Sequence, residues 1–156
     1  MGGPLSNVDA AWLRMEDPTN LMMVTGILVF EEPLDHRRVR SLLEKRLLVF
    51  DRFRQRVVEA PFGIGPPRWV DDNHFDIDAH LHRVALPAPG DQAALQELVG
   101  DLMSTPLDTS KPLWNTHPAG AYPACSVFLP RLHHCPAHAL ALVHLPPPPT
   151  HPPARP

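Results

Sequence analysis

Residues 21–30, LMMVTGILVF, form the longest mostly apolar stretch, rich in β-branched side chains and closed by Glu31-Glu32-Pro33. This pattern predicts a strand buried on both faces. The spacing then changes. Val39, Leu42, Leu43, Leu47 and Phe50 recur at helical intervals, while Arg37, Arg38, Arg40, Glu44 and Lys45 take the other side. A helix over 36–50 follows, with Asp35 as its N-cap. Residues 53–58 read as a second strand, and 61–67, with three prolines and two glycines, as a turn.

Phe75, Ile77, Ala79 and Leu81 alternate with Asp76, Asp78, His80 and His82. That period of two predicts a half-buried strand with His80 and His82 on its polar face. Asp91 caps a second helix, whose Leu95, Leu98, Val99, Leu102 and Met103 share one side. Residues 106–112 form a loop leading into Leu113 and Trp114. The order is βαββα, with no internal repeat, and the alternation of strands and helices makes the fold class α/β. Beyond Trp114, residues 126–129 and 140–145 have the apolar content of core segments. Pro118, Pro123, Pro130 and Pro136 are expected to interrupt them, because proline lacks the N–H a ladder or helix uses.

Composition adds limits. The 156 residues suffice for one domain with its own core, and a net charge of −3 provides no electrostatic footprint for nucleic acid. The N-terminus has neither the basic nor the apolar region of a signal peptide, and no stretch is long enough to cross a bilayer as a helix. A cytoplasmic protein is the expectation, and Cys125 and Cys135 imply no disulfide framework. Of 21 prolines, 11 lie from Pro118 onward, and no acidic residue follows Asp108. The run Pro146–Pro149 opens an eleven-residue tail, 146–156, expected to be disordered or polyproline II.

Several segments carry a resemblance. Pro4-Leu5-Ser6, Asp9-Ala10-Ala11-Trp12-Leu13, Glu16, Pro18-Thr19-Asn20 and Met22-Met23 come first. Arg52-Phe53-Arg54-Gln55-Arg56-Val57, Phe75-Asp76-Ile77-Asp78 with His80-Leu81, Thr105-Pro106-Leu107-Asp108 and Lys111-Pro112-Leu113-Trp114 follow in order. Together they resemble the bacterial wax ester synthase/diacylglycerol acyltransferase family, a group with the chloramphenicol-acetyltransferase-like sandwich. The resemblance implies transfer of a fatty acyl group from acyl-CoA, as co-substrate, to diacylglycerol or a long-chain alcohol. The products would be triacylglycerol or wax ester, made in the cytoplasm or peripherally at membranes and lipid droplets. It implies no further cofactor and no metal.

The family's chemistry sits on HHxxxDG. The corresponding residues here are His133-His134-Cys135-Pro136-Ala137-His138-Ala139, so both histidines are present while His138 and Ala139 replace the acid and the glycine. An alcohol attacking a thioester needs a base for its proton, and imidazole, with an ordinary pKa of about 6.5, suits that task near neutrality. By resemblance His134 is the base and His133 a structural neighbour. The lost aspartate and glycine would have supported the motif loop. A zinc site from His133, His134, Cys135 and His138 is disfavoured, because adjacent ligands are awkward around one tetrahedral ion. Both cysteines are expected to be inert, and Trp12, Trp69 and Trp114 to be core or groove aromatics.

Residues 115–132 have the family's length between Trp114 and the histidine pair but not its acidic, glycine-rich composition, and agreement returns at Arg131. Correct length, wrong residues and renewed agreement are the signature of a reading frame lost and regained. The sequence reading is therefore residues 1–145 as the N-terminal lobe of a two-lobed acyltransferase, with 115–132 aberrant, and 146–156 as a proline-rich tail. On that reading the second lobe is absent and the chain is inactive. Two alternatives stand beside it. One is a non-catalytic fragment that binds lipid or a partner. The other is a condensation-type enzyme of peptide synthesis, which shares HHxxxDG but is opposed by residues 4–23.

Overall fold

A computed structural model describes residues 2–122 and 125–136, with the side chains of 121, 122 and 125 left aside. The predicted segments 140–145 and 146–156, together with His138 and Ala139, lie outside the described residues. Within them the α/β class holds. The helices are α1 (Asn7–Arg14), α2 (His36–Arg46) and α3 (Gln92–Ser104). The strands are β1 (Met23–Thr25), β2 (Leu28–Phe30), β3 (Gln55–Val58), β4 (Arg68–Asp71), β5 (Val84–Ala85), β6 (Trp114–Tyr122) and β7 (Cys125–His133).

β6 and β7 pair antiparallel at the centre of the main sheet. β5 runs parallel to β6 on one side, and β1 and β2 both pair with β7 on the other. Side chains alternate across β7 and so feed two cores. Phe128 and Leu132 join Trp114 against Val39, Leu43 and Leu47 of α2 and its following turn. Val127 and Leu129 join Ala119 against Leu95 of α3. Both caps form as predicted: Asp35 accepts the N–H groups of Arg37 and Arg38, and Asp91 that of Ala94. Phe50 and Met103, assigned to the apolar faces of these helices, are instead exposed. Emptying the α2 stripe at Leu43 would cost about 2–5 kcal/mol.

The strand predicted over 21–30 is interrupted and is not buried on both faces. β1 and β2 share one register on β7, with Thr25 opposite Arg131 and Leu28 opposite Phe128. Between them Gly26 donates to the carbonyl of Pro130, which has no N–H to return. The segment is also an edge, so Val24, Ile27, Leu28 and Val29 keep between 37% and 53% of their surface in solvent.

Of the prolines expected to interrupt the chain beyond Trp114, Pro118 and Pro130 lie within strands. Thr116 directs its N–H and C=O toward His80 and His82, so Pro118, two residues on, turns its bare nitrogen to that side and away from β7. Pro130 turns its nitrogen toward Gly26. The β6–β7 ladder therefore asks neither proline for a hydrogen. Residues 75–81 are not a strand either. Asp72 and Asp76 accept the backbone N–H groups of His74 and Asp78, and Ile77–Ala79 winds into a 3-10 turn. His80 is consequently buried rather than on a polar face; it stacks between Phe75 and Trp114 and its Nδ1 meets the Trp114 carbonyl at 2.7 Å. His82 is exposed, as predicted.

α1, β4, β5 and β6 went unpredicted. α1 is capped by Ser6, which accepts from Asp9. β4 completes an antiparallel hairpin with β3, and Trp69 from β4 packs with Leu5, Ala10, Leu107, Leu113 and Cys135.

Candidate active site

His133 is the last residue of β7, and His134 opens the turn that follows. Their backbones are held from opposite sides. His133 donates its N–H to Leu113 beside β6, and His134 donates to Met22 beside β1. Strand alternation therefore sends the two rings different ways. The His134 ring is half-buried and stacks on Trp12 of α1, centroids 4.5 Å apart and planes 18° from parallel.

His133 is buried. Its Nδ1 accepts the N–H of Cys135 at 2.9 Å, so the proton of the neutral ring sits on Nε2. That nitrogen lies 3.3 Å from Oε2 of Glu16, within ion-pair range although off-line for a formed hydrogen bond. The same oxygen accepts the N–H of Met22 in a short contact. A tight turn at 17–20, in which Asp17 and Asn20 exchange backbone hydrogen bonds, folds Met22 back onto Glu16. Burial lowers the pKa of His133, and the Glu16 carboxylate opposes that shift. His133 is thereby held as a neutral, oriented ring.

Glu16 was part of the sequence pattern but had no assigned role. Its signal was only a lone acid between α1 and a turn.

Arg131 faces the same side of β7 as His133 and is buried. Its guanidinium donates to the carbonyl of Thr105, the C-cap of α3, in a short contact and lies 3.2 Å from the Met23 sulfur. α3 has no basic residue in its last turn, so Arg131 supplies the cation its C-terminus favours. Cys135 is buried, and desolvation pushes its thiol up to about 12, which fits the inert role expected of it. His117 is buried beside His82, ring centroids 5.2 Å apart, and burial takes its pKa down to about 4. Trp69 and Trp114 are core residues, and Trp12 forms part of the site.

Among the described residues no three His, Cys, Asp or Glu side chains converge as a metal site. Nor is any helix among them long and apolar enough to cross a membrane. A cavity of about 450 Å3 lies over the outer side of β3–β4, lined by residues including Arg56, Asp72, His74 and Lys111. It shares no residue with the histidine pair.

The chain's sequence and fold are similar to those of known proteins. The model of the wax ester synthase/diacylglycerol acyltransferase catalytic domain matches residues 5–141. A probable diacylglycerol O-acyltransferase of Mycobacterium tuberculosis is 40% identical over 145 residues, covering 90% of this chain and 31% of the relative. A second from that organism is 38% identical over 116 residues, covering 72% of this chain and 43% of the relative. Among solved structures, the wax ester synthase/diacylglycerol acyltransferase of Marinobacter aquaeolei superposes with a TM-score of 0.73 at 25% identity, over 90% of this chain and 36% of that one. The starter condensation domain of rhizomide synthetase gives 0.68 at 19% identity, over 86% and 34%, a likeness of fold alone. The chain thus spans about a third of the length of the relative that matches it over 145 residues. On the family match, the chain belongs to the wax ester synthase/diacylglycerol acyltransferase family.

Proposed function

We propose that this chain carries the catalytic base of an O-acyltransferase that moves a fatty acyl group from acyl-CoA to diacylglycerol or a long-chain alcohol. His134 is the general base. It takes the acceptor's hydroxyl proton as the oxygen attacks the thioester carbon. The tetrahedral intermediate then expels the CoA thiolate, which recovers the proton from the imidazolium. The products are CoA–SH and either a triacylglycerol or a wax ester. His133 does not exchange protons with substrate; it fixes the backbone from which His134 projects.

The observation that carries this reading is the different setting of the two rings. His133 is held between Cys135 and Glu16, while His134, stacked on Trp12, keeps part of its surface in solvent. A base needs both access and orientation. The names of the relatives supply the substrate classes.

Turnover by this chain as it stands is a separate matter. His138 and Ala139 occupy the acid and glycine positions of the motif, so the loop carrying the base lacks its usual support. We therefore place the chain in an acyltransferase lineage and assign it little or no activity, leaving it a lipid-binding or partner-binding module at peripheral membrane sites.

Chemical modification tests the site without relying on turnover. Diethyl pyrocarbonate should label His134 and spare His133, with palmitoyl-CoA suppressing the His134 adduct in peptide mass spectra. Labelling indifferent to the thioester would remove the reading's support.

A further inference from the structure

The tip between β3 and β4 has no place in the acyl-transfer site. It runs Pro61-Phe62-Gly63-Ile64-Gly65 before Pro66 and Pro67 return the chain to β4. Phe62 is 98% exposed and Ile64 82% exposed, the two most exposed large apolar side chains described. Single exposed apolar residues are common on protein surfaces. Two on one closed turn are a different matter.

Several contacts close the turn. Ile64 donates to the carbonyl of Pro61, closing the turn, and Phe62 sits inside it at φ 59, a left-handed conformation costly for a bulky aromatic. Three prolines bracket the segment. Its base is anchored, since Pro67 is fully buried and accepts the N–H of Leu5. The fold thus accepts backbone strain to hold an aromatic ring out in water.

The charges below the tip indicate what it meets. Cross-strand pairing places Arg56 opposite Val70 and Val58 opposite Arg68, all four on the outer face, while Val57 and Trp69 pack inward. Neither Arg56 nor Arg68 forms an ion pair among the described residues. Glu59 is the one exposed acid between β3 and the tip. An aromatic and aliphatic point backed by two guanidiniums without an ion pair among the described residues matches an interface of acyl chains beneath phosphate headgroups.

We propose that residues 61–65 are a membrane-docking tip. Phe62 and Ile64 enter a phospholipid surface, and Arg56 and Arg68 face the headgroup phosphates. The choice of a lipid surface as occupant rests on the lipid-acceptor reading above; the geometry of the tip does not.

Vesicle flotation of the full chain tests it, without acyl-CoA or acceptor present. Vesicles of phosphatidylcholine with phosphatidylglycerol should carry the wild-type chain upward. The Phe62→Ser/Ile64→Ser variant should bind at least about tenfold more weakly with an unchanged melting curve, since both side chains are already in solvent. Arg56→Gln/Arg68→Gln should remove the preference for phosphatidylglycerol. The indole emission of Phe62→Trp should shift to the blue on vesicles and be quenched by brominated acyl chains. Equal binding by the serine variant would overturn the proposal and move the contact to another apolar surface, such as the β1–β2 edge. Failure of the wild type to float, or an unshifted emission from Phe62→Trp, would overturn it as well. Protection of His134 by palmitoyl-CoA is read separately, so either idea can fail alone.

Discussion

The carboxylate of Glu16 lies 3.3 Å from Nε2 of the buried His133, joining the end of α1 to the end of β7. The same oxygen holds the N–H of Met22, and Met22 in turn accepts from His134. One acid therefore sets both the ring of His133 and the backbone seat of its neighbour. Removing it should disturb the pair without touching the reacting ring.

Glu16→Gln keeps the shape and removes the charge. Burial then acts unopposed, so the His133 ring should titrate at lower pH than in the wild type. Histidine ring resonances followed by NMR through an acid titration check this. Glu16→Ala additionally leaves the Met22 N–H without its acceptor, an expected loss of about 1–3 kcal/mol in urea unfolding. An unmoved His133 titration in Glu16→Gln would mean the contact carries no electrostatic weight.

Acid should destabilise the fold through its buried histidines. Burial lowers the pKa of His80, His133 and His117, the last to about 4, whereas the unfolded rings take protons near 6.5. Below pH 6.5 the unfolded chain binds more protons than the folded one, so stability falls as pH drops toward 4. The urea midpoint should decrease from pH 7 to pH 5, and His117→Leu should flatten that decrease. A midpoint constant over this range would contradict the neutral, buried state of these rings.

These relationships show which features could be read from the sequence. α2 and α3 combine an apolar stripe with an aspartate cap, two local signals that agree, and both start at their predicted caps, although α2 ends at Arg46 rather than at Phe50. Residues 75–81 carry the period of a strand, but Asp72 and Asp76 spend their carboxylates on nearby backbone and curl the chain. The β6–β7 hairpin was obscured by its prolines. Whether a missing N–H matters depends on which side of the strand it faces, and that is decided only once the partners are known. α1 is short, with only Asp9 and Ala10 buried, so no stripe announces it. The histidine pair was legible as a motif. The role of Glu16 was not, because its partner is remote in sequence and only the fold brings them together.

If His134 is a base that has lost its supporting residues, any chemistry gained by restoring them should depend on His134. Release of CoA–SH from palmitoyl-CoA, with diacylglycerol or hexadecanol as acceptor, reads this out. No turnover above background is expected for the chain as it stands. Any release gained by His138→Asp/Ala139→Gly should be abolished when His134→Ala is added. Clear turnover by the unaltered chain would contradict the damaged-motif reading, and turnover that survives His134→Ala would contradict the assignment of the base.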